Sequence, residues 1–218
     1  MELIFSSPTM AIRRAAVSSM DNNVYLITSR TTGRQILIDA ANEPDTISAM
    51  IESAKGDGPA PTVDLILTTH SHADHLGALA DMVRRTGART GAGREDADAI
   101  TRQTGIVIDR LLDHGDTVGV DGIELGVIGL RGHTPGSVAL VYSEPGYPVH
   151  LFSGDSLFPG GVGNTNHDPV RFASLLTDVT TRIFDVYPDD TVVHPGHGKP
   201  TTLGTERPHL GEWAQRGW

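Results

Sequence analysis

The stretch Thr69-His70-Ser71-His72-Ala73-Asp74-His75-Leu76-Gly77 constrains this chain more than any other, because it sets four metal-ligand side chains within six residues. Val63 to Thr69, just ahead, is a largely apolar run of the kind found in a strand buried on both faces. Where such a strand runs out, His70 and His72, two positions apart, project to the same side. Asp74 and His75 then open what reads as a helix, with Leu76, Leu79, Ala80 and Val83 on one face and a stop before Gly87. Imidazole nitrogens and carboxylate oxygens are ligands for zinc, iron and manganese, and two His followed by Asp-His is more than one tetrahedral ion takes. The excess points to two metals. Taken alone, the same residues also fit a polar helix start capped by Asp74 or Ser71.

No cysteine is present, so disulfides, thiolate ligands and a cysteine nucleophile are excluded and every ligand is His or carboxylate. A formal net charge of −10 argues against a nucleic-acid partner, which needs clustered Lys and Arg. Two divalent cations would offset part of that charge. No apolar run approaches the roughly 20 residues of a membrane span. Arg13-Arg14 follow the short N-terminal apolar patch rather than precede it, unlike a signal peptide, so no membrane partner and a cytoplasmic location are expected. A length of 218 residues suits a single domain over 1–218.

Periodicity supplies the elements. Val24 to Thr28 and Gln35 to Asp39 predict a hairpin turning at Thr31-Thr32-Gly33, and Thr46 to Ala54 predicts a helix with Ile47, Met50, Ile51 and Ala54 on one face. Helical segments follow around Glu95 to Thr101 and over Pro169 to Val186. Leu111 to Val118, Ile123 to Ile128, Val138 to Tyr142, Val149 to Ser153 and Thr191 to His194 read as strands. Strands followed by a helix in each half suggest sheets in the middle and helices outside.

Three later motifs each carry one ligand-type residue among glycines at strand ends: Gly132-His133-Thr134-Pro135-Gly136-Ser137, Gly154-Asp155-Ser156-Leu157-Phe158 and Pro195-Gly196-His197-Gly198. Together with His70-Ser71-His72-Ala73-Asp74-His75, with Asp39 in Leu37-Ile38-Asp39, with Asn22-Asn23-Val24-Tyr25 and with Thr201 to Arg207, their order and spacing resemble the metallo-β-lactamase superfamily, and within it the glyoxalase II-like (hydroxyacylglutathione hydrolase-like) hydrolases.

The resemblance implies a mixed α/β fold, a four-layer αββα sandwich, with a dinuclear site at one edge of the sheets. Carried over by position, it implies that His70, His72 and His133 bind one metal, that Asp74, His75 and His197 bind the other, and that Asp155 bridges them. Asp39 would orient a ligand His. Two divalent ions, zinc first and iron or manganese otherwise, would lower the pKa of a bridging water to give a hydroxide at neutral pH, with Asp74 helping to aim it. The activity implied is hydrolysis of a small-molecule thioester. The alternatives within the same resemblance are a persulfide dioxygenase with a single iron and a lactonase. Where glyoxalase II usually has a second His this chain has Ser137, and it ends at Trp218 without a further glutathione-holding helical region, which aligns it with a shorter bacterial branch. His114, His150, His167, His194 and His209 match no ligand position and are expected on the surface or packed. Asn164 and His167, in the Gly-rich loop after Asp155, are candidates for a substrate rim.

Overall fold

In the computed structural model, which describes residues 1–217, the apolar runs form two sheets stacked face to face. The first takes its strands in chain order: β1 (Glu2–Ser6), β2 (Met10–Val17), β3 (Asn22–Ser29), β4 (Arg34–Ile38), β5 (Thr62–Thr68), β6 (Arg89–Gly93) and β7 (Arg110–Leu112). The second contains β8 (Thr117–Val120), β9 (Ile123–Gly129), β10 (Val138–Tyr142), β11 (His150–Gly154), β14 (Val192–Pro195) and β15 (Thr201–Thr202). A short hairpin of β12 (Leu157–Phe158) and β13 (Gly161–Val162) follows Asp155 directly.

Period-2 alternation sends each strand's side chains to two different layers. Tyr25, Ile27, Ile36, Ile38, Leu65 and Leu67 point between the sheets and meet Val118, Leu125, Leu140 and Phe152. Their neighbours Val24, Leu26, Leu37 and Ile66 point outward against α1 (Pro44–Glu52), α2 (Leu79–Thr86) and α3 (Arg94–Thr104). On the far side Ile128, Val141, Leu151 and Val193 pack under α4 (Pro169–Val179) and under Trp213 of α6 (Leu210–Arg216), which follows the single turn of α5 (Leu203–Glu206). Helix, sheet, sheet, helix is the αββα order that the resemblance implied, and the run Leu65 to Leu67 of β5 is apolar and buried because the strand is covered on both faces.

The local expectations hold with informative exceptions. The hairpin of β3 and β4 forms, and α1 begins at Pro44, two residues earlier than the period required. Leu111 to Val118 is not one strand. β7 ends in the first sheet and β8 begins in the second, and between them Asp113 to Asp116 turn the chain, with the Asp113 N–H donating to Asp116 Oδ2 at 2.8 Å. Asp74 and His75 do not open α2 but sit in a separate 3₁₀ turn, Ala73–His75. The helix predicted over Pro169 to Val186 is α-helical to Val179 and continues as a π turn over Thr180–Phe184, where the Asp185 N–H donates to Thr180 O. The N-terminal strands β1 and β2 were not anticipated; β2 buries Arg13, whose guanidinium donates to Asp57 at 2.5 Å.

What matters for the site is direction. β4 and β5 run parallel in one sheet and β11 and β14 run parallel in the other, so all four deliver their following residues to one end of the sandwich. The loop between β9 and β10 reaches the same end, where the Val138 N–H donates to Thr69 O across the two sheets.

Candidate metal centre

Every proposed ligand, and Asp39 beside them, follows a strand end at that edge. Asp39 follows β4, His70 to His75 follow β5, His133 lies between β9 and β10, Asp155 follows β11, and His197 follows β14. Three clusters of potential metal donors result: His70, His72 and His133; His70, His75 and Asp155; and Asp74, His75 and His197, with donor atoms within 4.8 Å of one another in each. All seven residues named from the sequence are therefore brought together, and Asp155 lies between the two halves, with its oxygens 3.7 Å from His133 Nε2, 3.4 Å from His75 Nε2 and 3.5 Å from His197 Nε2.

The outer nitrogens of four of the imidazoles are committed. His75 Nδ1 donates to Asp39 Oδ2 at 2.9 Å, His133 Nδ1 to Asn164 O at 2.8 Å, and His197 Nδ1 to Met20 O at 2.8 Å. These partners are a carboxylate and two carbonyls, which only accept, so each Nδ1 carries the proton. For His70 the relay has one more member: Nδ1 donates to Thr69 Oγ1 at 3.0 Å, and that hydroxyl donates to Asp39 Oδ2 at 2.8 Å. Asp39 thus orients two of the rings. It also accepts from the Thr69 N–H at 2.8 Å, and it is held in the left-handed region at φ 56° to do so.

With Nδ1 protonated, each Nε2 presents a lone pair inward. His75 Nε2 and His197 Nε2 face each other at 3.2 Å, an arrangement that repels unless a cation lies between the rings or one ring is protonated. Burial works against charge on His75, but Asp39 and Asp155 outweigh it and push its pKa up to about 10. His70, under the same burial and beside His75, is held well below the ordinary range, and burial pushes His133 down as well. Burial opposes ionisation of Asp155, yet the rings of His197 and His75 hold its carboxyl far below the usual carboxylate range. Among the described residues, His70 Nε2, His133 Nε2 and Asp155 Oδ1 are buried without a hydrogen-bond partner. Buried polar atoms are almost always satisfied. Unsatisfied lone pairs converging from neutral imidazoles and carboxylates are the donor set that zinc, iron or manganese takes, so the residues present fit divalent metal.

Two glycines make this convergence possible by close approach rather than by conformation. A Cβ on Gly196 would lie 2.1 Å from Asp155 Oδ1 and 2.8 Å from His75 Cε1, and one on Gly163 would lie 1.7 Å from Asp155 O.

Sequence reasoning did not single out Asn22, which is fully buried and donates from Nδ2 to Asp74 Oδ2 at 2.8 Å. Its only signal was a place in Asn22-Asn23-Val24-Tyr25, one of the segments that carry the resemblance. Burial opposes ionisation of Asp74, but the Asn22 bond and His75 hold its carboxyl below the usual range. Of the two rim candidates, Asn164 contributes its carbonyl to His133 and keeps its side chain at the surface, and His167 is exposed on the same loop at φ 57°. His150 and His194 are buried and hydrogen-bonded to each other at 2.9 Å, and His114 and His209 are exposed.

The family profile described as the metallo-beta-lactamase superfamily matches residues 20–197. Hydroxyacylglutathione hydrolase GloC of Haemophilus influenzae is 26% identical over 212 residues, covering 91% of this chain and 95% of that protein. The hydroxyacylglutathione hydrolase of Xanthomonas campestris pv. campestris is 31% identical over 188 residues, 85% of this chain, and this chain spans 65% of its length. Among solved structures, TTHA1623 in a di-iron-bound form superposes with a TM-score of 0.69 at 32% identity, covering 89% of this chain and 96% of that one.

Proposed function

The chain belongs to the metallo-beta-lactamase superfamily and is a glyoxalase II-like hydrolase, and from that premise we propose that it hydrolyses small-molecule thioesters at a centre of two divalent metal ions. His70, His72 and His133 would hold one ion, Asp74, His75 and His197 the other, with Asp155 shared. Zinc is the proposed metal, with iron or manganese fitting the same donors. Ions bound there supply a water acidified toward neutrality and a Lewis acid for the scissile carbonyl.

The observation that carries the proposal is the shared orientation of the rings. Their N–H groups point outward to Asp39, Thr69, Asn164 and Met20, and their lone pairs point inward alongside two carboxylates. Such a centre offers acceptors and no proton donor to a leaving group. A thiol, with a pKa of about 8.5, departs as thiolate without a general acid far more readily than the more basic alkoxide or amide nitrogen. Asp74 is the catalytic carboxylate of this reading. It is more open than Asp155, with 26% against 13% side-chain exposure, and Asn22 holds it ionised to accept a proton from, and so orient, an incoming water. Asn164 and His167 form the rim on which a thiol carrier is proposed to rest. A small diffusible carrier agrees with a cytoplasmic location, and among the described residues no helix is long and apolar enough to cross a membrane.

Metal analysis of the purified protein and assays on S-lactoylglutathione, a glutathione persulfide and a homoserine lactone test the reading. Two metals per chain with turnover of S-lactoylglutathione are expected. His72→Ala and Asp155→Ala should each abolish metal uptake and hydrolysis while leaving a folded chain. One iron per chain with oxygen uptake on the persulfide and no thioester hydrolysis would replace it with the dioxygenase, and turnover confined to the lactone would replace it with a lactonase.

A further inference from the structure

Asp96 lies in the first turn of α3, a place where an acidic residue ordinarily faces solvent and complements the helix dipole. Here its residue is 1% exposed and makes no ion pair among the described residues. Burying a carboxylate without a cation is costly unless several donors satisfy it. Three do. Asp96 Oδ2 accepts from the Ser71 N–H at 2.8 Å and from Thr134 Oγ1 at 2.6 Å, and Oδ1 accepts from the Gly136 N–H at 2.8 Å.

The origin of those donors gives the carboxylate its meaning. Ser71 is the residue between His70 and His72, while Thr134 and Gly136 follow His133. One buried side chain therefore joins the two loops that carry the three imidazoles of the first half-site. A second residue of α3 completes the grip, because Gln103 Nε2 donates to Ser71 O at 2.7 Å. The Ser71 backbone is thus held at its N–H by Asp96 and at its carbonyl by Gln103. The approach is close enough to require glycine, since a Cβ on Gly136 would lie 2.4 Å from Asp96 N. The second half-site has no bond to Asp96: Asp74 is held by Asn22, His75 by Asp39 and His197 by the Met20 carbonyl.

We propose that Asp96 is a positioning residue for the first metal alone, locking the His70–His72 loop to the His133 loop so that the three rings converge on one ion. This rests on the two-metal reading above. A carboxylate fits the task where an amide does not, because all three partners are donors: Asp96→Asn turns an NH₂ group toward at least one of them and loosens one loop from the other at nearly constant volume.

The test is titration of Zn²⁺ alone into the metal-free full chain, with a chromophoric chelator in competition and the histidine ring signals followed by NMR. The wild-type chain is expected to take up two equivalents. In D96N, the equivalent sensed by His75 and His197 should keep its affinity, and the one sensed by His72 and His133 should weaken roughly 10–100-fold. Thr134→Val, which removes one donor to Asp96, should weaken the same equivalent and Thr134→Ser should restore it, so the proposal stays testable if D96N does not fold. A purely structural role would lower the melting temperature of the metal-free chain while both equivalents kept their affinity or weakened alike, and either result overturns the proposal. A wild-type chain that binds no Zn²⁺ overturns the two-metal reading as well, and is a different result from two equivalents that D96N leaves untouched.

Discussion

His150 and His194 sit on neighbouring parallel strands, β11 and β14, with His150 Nδ1 and His194 Nε2 2.9 Å apart and both rings buried. Burial pushes the pKa of His150 down to about 4; burial, then the charges of His150 and Arg14, push that of His194 down to about 3. Both are neutral in the folded chain, whereas in the unfolded chain an ordinary His titrates near 6.5. Between these values the unfolded state binds more protons, so stability rises with pH there. The contribution of the pair is complete above about pH 6.5 and is lost as the pH falls toward 4 and 3. Thermal melts of the metal-free chain should show this loss, and replacing both by Gln should flatten it; an unchanged pH profile would contradict it. At this scale motifs nominated the candidate ligands, and His150 and His194, which match no motif, are buried against each other. It did not expose Asn22 or Asp96, because their roles depend on partners 52 and 38 positions away.

Strand ends carry the chemistry, and two element boundaries are open to direct test. Gly196 closes the turn after β14 against Asp155 and His75. Gly196→Ala should therefore displace the Asp155 carboxylate and abolish uptake of at least one Zn²⁺ while circular dichroism still reports the sandwich; two equivalents at wild-type affinity would contradict the close approach. At the start of α4, Asp168 Oδ1 accepts from the Val170 and Arg171 N–H groups, with Pro169 in the first turn. Loss of that cap in Asp168→Ala should cost about 1 kcal/mol, a drop in melting temperature of roughly 2–4 °C for a chain of this length. The loop to His167 ends at this cap, so proteolysis there should increase in the same variant. Helices and strands with clean periods were legible to within a few residues. Leu111 to Val118 was not, since an apolar stretch carries no mark of which sheet it joins, and β7 and β8 join different ones.

Across the whole molecule, the apolar residues of both sheets interlock between Tyr25, Ile38 and Leu67 on one side and Leu125, Leu140 and Phe152 on the other. Such a shared layer should unfold in one transition, as expected for one domain over 1–218, and calorimetry showing two separable transitions would count against it. Metal bound at the proposed site would need the assembled edge, so Zn²⁺ should stabilise the fold with the logarithm of its concentration, by about 2.7 kcal/mol at 100 times the dissociation constant, raising the melting temperature, and a chelator should reverse the rise. The apolar periodicity of the strands and the chemistry of His70 to His75 are local properties, so the sequence alone determined that sheets lie inside and helices outside and which donor types gather, and its motifs carried the resemblance that implied the sandwich. The gathering of His133, Asp155 and His197 onto that stretch, the outward proton on four of the rings through Asp39, Thr69, Asn164 and Met20, and the bond from Asp96 to both loops were decided only by the tertiary structure. The physical reason is that a hydrogen bond specifies two atoms at about 3 Å, and spacing along a chain says nothing about which distant backbone carbonyl or carboxylate the closing of two sheets will bring there.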